Sequence, residues 1–256
     1  MSSAETLTIE YVFQWPQGRR LVIPIRLDAT SMQAEQALDE QACRADWVRL
    51  EANQCPNCPL SPAEHATCPV AMHVAPLLTQ FADATSFEAV EVSVVTDQRT
   101  YSAQTSLQQG VSSMLGVVMA TSGCPILDPM RPMARFHLPF ASYEETAYRA
   151  LSMYLVGQHI RAQNGDAADW ALDGLVAMYD NIQQVNAAFA QRLKRFITND
   201  ANANALVILD CFAAMASIDL SMRRRVPESL EPMFAALVQR SSARLPNSTA
   251  SPPSTL

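Results

Sequence analysis

Four of the six cysteines in this 256-residue chain are each followed at once by proline: Cys55-Pro56, Cys58-Pro59, Cys68-Pro69 and Cys124-Pro125. Cys55 and Cys58 have the C-x2-C spacing, nine residues separate Cys58 from Cys68, and Cys124 arrives from a distant stretch. Thiolates two residues apart can grip one metal ion, and two more sulfurs brought in by folding complete a tetrahedron, with Zn–S distances of about 2.3 Å. Metal binding at such a site becomes folding energy. Iron–sulfur ligation is the rival, since cysteine followed by proline also occurs at cluster ligands. Reduced cysteines packed in a proline-rich core are the plain alternative, and a redox thiol pair is a third. Pro59 stands where the common zinc knuckle has glycine, a departure that leaves zinc open. The expected ligands are therefore Cys55, Cys58, Cys68 and Cys124, holding Zn2+ or an iron–sulfur cluster.

Other candidates weigh less. His65 lies close to Cys68 and offers a substitute for one thiolate in a Cys3His site; His73 is more simply a hydrogen-bonded bystander. Cys43 is a spare donor that nothing requires, and Cys211, on the most apolar stretch, reads as core. His137, with Asp128, Arg131 and Arg135 nearby, has the residue types of an anion or acid–base pocket. A proline-stiffened loop that carries its charges outward is the preferred reading there.

These residues need elements to position them. Leu7, Ile9, Tyr11 and Phe13 alternate with more polar neighbours, as do Leu21, Ile23, Ile25 and Leu27, with Pro16-Gln17-Gly18 between them. That is a hairpin with one buried face, and Pro24 makes its second strand an edge. A helix is predicted over Ser31 to Cys43, and a third strand over Trp47 to Glu51 that delivers the chain to Cys55. Ser61-Pro62-Ala63-Glu64 is a capping box for a brief helix. A second helix runs from Pro69 to about Ala84, bent at Pro76. Val90, Val92 and Val94, then Tyr101, Ala103 and Thr105, form a second hairpin turning at Asp97-Gln98. A helix over Leu107 to Thr121 stops at Gly123 and presents Cys124 at its end.

A proline-rich loop runs from Cys124 to Ala141, and Ser142-Tyr143-Glu144-Glu145 caps a helical remainder. There Leu175, Tyr179, Ile182, Asn186, Phe189, Leu193 and Phe196 alternate spacings of four and three, one packing seam on a helix from about Ala167 to Ile197. A buried helix is predicted over 201–222, and a last one near Pro227. The fold class is α+β: an N-terminal antiparallel sheet of two hairpins plus one strand with short helices, then a C-terminal helical bundle. The organisation is an α+β cysteine-containing region over 1–140, a helical region packed on it over 141–240, and a disordered tail over 241–256.

Composition sets the outer bounds. Hydrophobic residues make up 49% and charged residues 17%, against a usual charged share of about 25%, so much surface is buried. A net charge of −7 with a single basic run, Arg223-Arg224-Arg225, argues against nucleic acid as a partner. No secretory signal opens the chain and no segment is long and apolar enough to span a membrane, so a cytoplasmic address is expected. In that reducing setting the cysteines point to thiols or metal, not disulfides. Seven glycines, and no P-loop, G-x-G-x-x-G, H-E-x-x-H or G-x-S-x-G run, exclude the familiar phosphate, zinc-protease and serine-hydrolase sites.

The runs Cys-Pro-Asn-Cys-Pro-Leu (55–60), Ser-Gly-Cys-Pro (122–125) and Phe-His-Leu-Pro-Phe (136–140) resemble an uncharacterised bacterial protein family, a domain of unknown function, over most of residues 5–240. The resemblance implies a bacterial cytoplasmic protein and brings no activity with it. Two functions stand open. One is a non-catalytic binding or regulatory module with a metal-stabilised head, associating as a homodimer through its long helix, with an unidentified small ligand. The other is an iron–sulfur or thiol-dependent redox protein or enzyme.

Overall fold

The computed structural model describes residues 5–35, 45–81, 84–196 and 228–239. The chain opens with β1 (Thr6–Gln14) and β2 (Arg20–Asp28), paired antiparallel with Ile9 opposite Ile25 and Tyr11 opposite Ile23. Gly18, at a φ of 92°, makes the turn that a side chain would strain. β3 (Ala89–Val95) and β4 (Thr100–Ser106) form the second hairpin, and β3 pairs with β1, giving the order β2-β1-β3-β4. Pro24, opposite Glu10, therefore falls on an edge strand as its missing N–H requires.

Ile9, Tyr11, Phe13, Ile25, Leu27, Val90, Val92 and Val94 all point to one buried face. Helix α1 (Pro69–Leu78) and helix α2 (Leu107–Ala120) contribute to the same core. α2 comes so close to the sheet that a Cβ on Gly110 would stand 2.8 Å from both Phe13 and Val92 side-chain atoms. Beyond α2 come the short helix α3 (Arg131–Arg135) and two long ones, α4 (Tyr143–Gln163) and α5 (Asp173–Phe196), with α6 (Ala235–Gln239) last. Ser142 and Glu145 close the capping box of α4 reciprocally. One hydrophobic cluster takes residues from Ile9 to Leu193, on both sides of residue 140.

Three expectations are corrected. Trp47 to Glu51 is not a strand but part of two successive 3-10 turns, Asp46–Val48 and Leu50–Ala52. Trp47, Val48 and Leu50 are buried and Arg49 is exposed, a spacing that fits turns and not alternation. The Ser61 capping box closes only a turn, with Ser61 accepting from Ala63, Glu64 and His65, because Cys68 must extend to donate to the Val48 carbonyl. α5 begins at Asp173, not near Ala167. Ahead of it the Asp169 carboxylate accepts from the Ala171 and Gly174 amides and from the Tyr154 hydroxyl, folding the approach into a loop. At 24 residues α5 is about 36 Å long, and Leu175, Tyr179, Ile182, Asn186, Phe189 and Leu193 are all buried along it. Of the helix predicted over 31–43, the described residues 31–35 are not helical, since Ala34 bridges Leu27; the rest of it with Cys43, the helix over 201–222 with Cys211, and the tail from 241 lie outside the described residues.

Candidate metal centre

The turn at Cys55-Pro56-Asn57-Cys58 is closed by the Cys58 amide donating to the Cys55 carbonyl at 3.0 Å. Side chains on either side pin this loop to α5. The Asn53 amide group donates to the Ala188 carbonyl at 2.7 Å, and that of Asn57 donates to the Asn181 carbonyl at 3.1 Å. Cys68 sits just ahead of α1, where Pro69 begins the helix and the Cys68 carbonyl accepts from Met72. Cys124 follows the C-terminus of α2. There Ser122 folds back on the Met119 carbonyl at 2.8 Å and Gly123 takes a φ of 83°, which turns the chain inward. The Cys124 carbonyl then accepts from the Leu127 and Asp128 amides.

These three segments meet. Cys55, Cys58, Cys68 and Cys124 line one largely enclosed cavity, walled otherwise by Leu50, Leu60, Val70, Ile126, Val185 and Phe189 and by Arg192. All four are free thiols, Cys55 and Cys58 half-buried and Cys68 and Cys124 buried. Burial pushes the Cys55 thiol up to about 12 and the Cys124 thiol up to about 11, and neighbouring cysteines add to the rise in both. Burial also raises Cys68. His65 is exposed on its turn and does not line the cavity.

Sequence reasoning missed Arg192. This side chain is 1% exposed, and its guanidinium donates to four carbonyls: Trp47, Arg49 at 2.6 Å, Leu50 at 3.1 Å and Asn53 at 2.7 Å. The carbonyls of Trp47, Arg49, Leu50 and Asn53 thus go to an arginine, while Val48 to Leu50 keep only a single bridge to the 66–68 segment. Among the described residues Arg192 has no carboxylate partner. Burial lowers its pKa, and the charges that oppose the fall are those of Cys68, Cys55 and Cys58. The signal was a charge inside the seam, between Phe189 and Leu193.

Among the described residues, no three or more Cys, His, Asp or Glu side chains are grouped as a single-ion site. The cysteine cavity instead holds a void of about 20 Å³, enough for a water-sized body.

A family described as a domain of unknown function (DUF6901) matches residues 9–234. The chain belongs to this family. No curated protein and no solved structure matches it. All four cysteines and Arg192 of the DUF6901 chain fall inside the matched region. No helix among the described residues is long and apolar enough to cross a membrane.

The loop from Cys124 to Ala141 divides its candidates. Arg131 pairs with Asp128 at 2.6 Å and donates to the Ser31 carbonyl, while Arg135 is exposed against Phe136. His137 turns inward, against the outward reading of the loop, and its Nε2 lies 2.6 Å from the Tyr11 hydroxyl, which is 2.9 Å from the Ser113 hydroxyl. Burial, helped by the Arg149 charge, pulls His137 down to about 3, so the ring is neutral. Burial raises Tyr11, so its hydroxyl stays protonated.

Proposed function

We propose that Cys55, Cys58, Cys68 and Cys124 hold an iron–sulfur cluster that completes the fold of a non-catalytic binding or regulatory module. The observation that carries this reading is the shared cavity: four cysteines, each followed by proline as cluster ligands can be, and a buried arginine around one apolar void. A cluster with four thiolate ligands is an anion, and burying it demands a compensating charge. Arg192 supplies that charge while its hydrogen bonds hold the 46–53 turns in place. When bound, such a centre supplies one-electron chemistry whose potential is set by charge, hydrogen bonding and solvent access around the sulfurs. The chain's own part is to exclude water with Leu50, Val70, Ile126 and Phe189, to fix the sulfurs on three segments, and to neutralise charge with Arg192.

The thiols suit a reducing, cytoplasmic setting, and association as a homodimer through the helical region belongs to the same proposal. A second reading, a cluster-dependent redox enzyme, is favoured by a larger cavity next to the cysteines. Anaerobic purification without a histidine tag tests the centre. The expected result is brown protein with iron and sulfide in stoichiometric amount, bleached by dithionite. Colourless protein with one zinc per chain would replace the cluster by a structural ion, and metal-free protein of full stability would leave only packed thiols.

A further inference from the structure

A second cavity, of about 390 Å³, opens among α2, α3, α4 and α5, a size typical of small-molecule sites. It uses none of the four cysteines. Its body is apolar: Val117, Met119, Leu127, Met130, Met133 and Ile182 line it. Polar side chains such as Gln109, Ser113, Thr146 and Asn186 interrupt that wall, and two further ones are donors with capacity to spare. Tyr179 lines it, and its buried hydroxyl has no hydrogen-bond partner; the residue is 3% exposed. Burial pushes that phenol up to about 12, so it is a donor at neutral pH. Arg149 lines the same cavity. The two hydrogen bonds it makes, to the Met133 and Phe136 carbonyls at 2.8 and 2.7 Å, both use Nη2. No carboxylate forms an ion pair with Arg149 among the described residues, although the Glu145 charge acts on it from one turn away. The Tyr179 and Arg149 side chains are near enough to influence each other's charge.

A buried donor without an acceptor costs free energy that a native fold rarely leaves uncompensated. Here an unpartnered hydroxyl and a half-buried cation, whose only nearby carboxylate is the exposed Glu145 of the capping box, share one largely apolar cavity, and an acceptor carrying negative charge would satisfy both. His137, neutral and joined to Tyr11, supplies no anion. We propose that this cavity binds a small amphipathic carboxylate, its head on the Tyr179 hydroxyl and the Arg149 guanidinium and its hydrocarbon body among the methionines. Thioethers suit a flexible aliphatic chain because methionine adapts to irregular shapes. This inference stands apart from the cluster, and either can fail alone.

Calorimetric titration of the full chain with octanoate, and with octanol as its uncharged counterpart, tests the site. Octanoate is expected to bind once per chain and octanol at least tenfold more weakly. Tyr179→Phe is expected to weaken octanoate roughly tenfold or more, the usual effect of losing a hydrogen bond to a charged group, and to leave octanol unchanged. Because the hydroxyl has no partner in the free protein, Tyr179→Phe should melt no lower than wild type, which keeps this variant readable. Arg149→Gln should weaken octanoate as well. Absence of octanoate binding, equal affinity for octanol, or indifference of octanoate to Tyr179→Phe would each overturn the assignment.

Discussion

Arg192 is the residue on which the cysteine region turns, because it closes four carbonyls and faces three of the thiols. Truncating it leaves buried acceptors unpaired, at roughly 1–3 kcal/mol for each group. Arg192→Met is therefore expected to lower stability by several kcal/mol and to reduce the metal recovered with the protein. Arg192→Lys should restore charge but not the four-carbonyl geometry, and so melt between the two. Equal metal content in wild type and Arg192→Met would detach the arginine from the centre. His137 gives a second residue-scale expectation. Its folded-state value near 3 lies below the ordinary value of about 6.5, so the unfolded chain takes up the proton first. The contribution is complete above pH 6.5 and is lost as pH falls toward 3, at up to about 1.4 kcal/mol per pH unit. Tyr11, Ser113 and Arg149 face or influence the ring and supply no carboxylate to hold a charged form. His137→Gln should flatten this part of the stability-versus-pH curve, and an unchanged acid slope would show that the ring does not titrate in unfolding. At this scale the Cys-Pro spacing pointed to four cysteines that do line one cavity. Arg149 and Arg192 were not legible, since a charge on a mostly apolar helical face signals a site only once its neighbours are known.

Among the elements, both hairpins and helices α2 and α4 could be read directly, because alternation, capping boxes and glycine stops are local signals. The segment between Ala45 and Cys68 could not. Its carbonyls go to Arg192, more than a hundred residues away in sequence, and no local pattern announces that. The start of α5 was misread for a related reason: Asp169 diverts the chain by binding amides and the Tyr154 hydroxyl that the helical pattern does not include. The contact between α2 and the sheet yields a prediction of its own. A methyl group on Gly110 would press on Phe13 and Val92 at 2.8 Å, so Gly110→Ala, despite its better helix propensity, should destabilise by about 1–3 kcal/mol through overpacking. Urea denaturation measures this, and a stabilised variant would mean that the sheet yields to the helix.

For the molecule as a whole, the cysteine centre joins the 46–68 loops to the end of α2 and to α5, so its loss should be felt globally. Cys58→Ser, or removal of metal by a chelator, is expected to lower the melting temperature of the whole chain in one transition, since a metal ligand contributes folding energy that serine does not replace. A melt unchanged by both treatments would argue for packed thiols. The seam of α5 lies in the chain's own core, so Asn186→Leu should not alter the mass in solution. The exposed face of α4, with Leu155, Val156 and Ile160, is where a dimer contact of the helical region is expected. Light scattering of Val156→Glu against wild type distinguishes a dimer from a monomer.

Val185 and Asn186 are consecutive in α5, yet Val185 walls the cysteine cavity and Asn186 walls the larger one. Cys124 and Leu127, one helical turn apart in sequence, divide in the same way. The two chambers therefore have a common partition, and what fills one bears on the shape of the other. Thermodynamic linkage makes any such influence mutual: the factor by which a filled cysteine site changes octanoate affinity is the factor by which octanoate changes the hold on the metal. Any change in octanoate affinity between protein loaded at the cysteines and protein stripped of metal should therefore reappear, by the same factor, as a shift in the metal's equilibrium against a chelator when octanoate is added. With both proposed occupants in place, a partition of this kind would let the state of a buried inorganic centre be read out as the occupancy of an organic site.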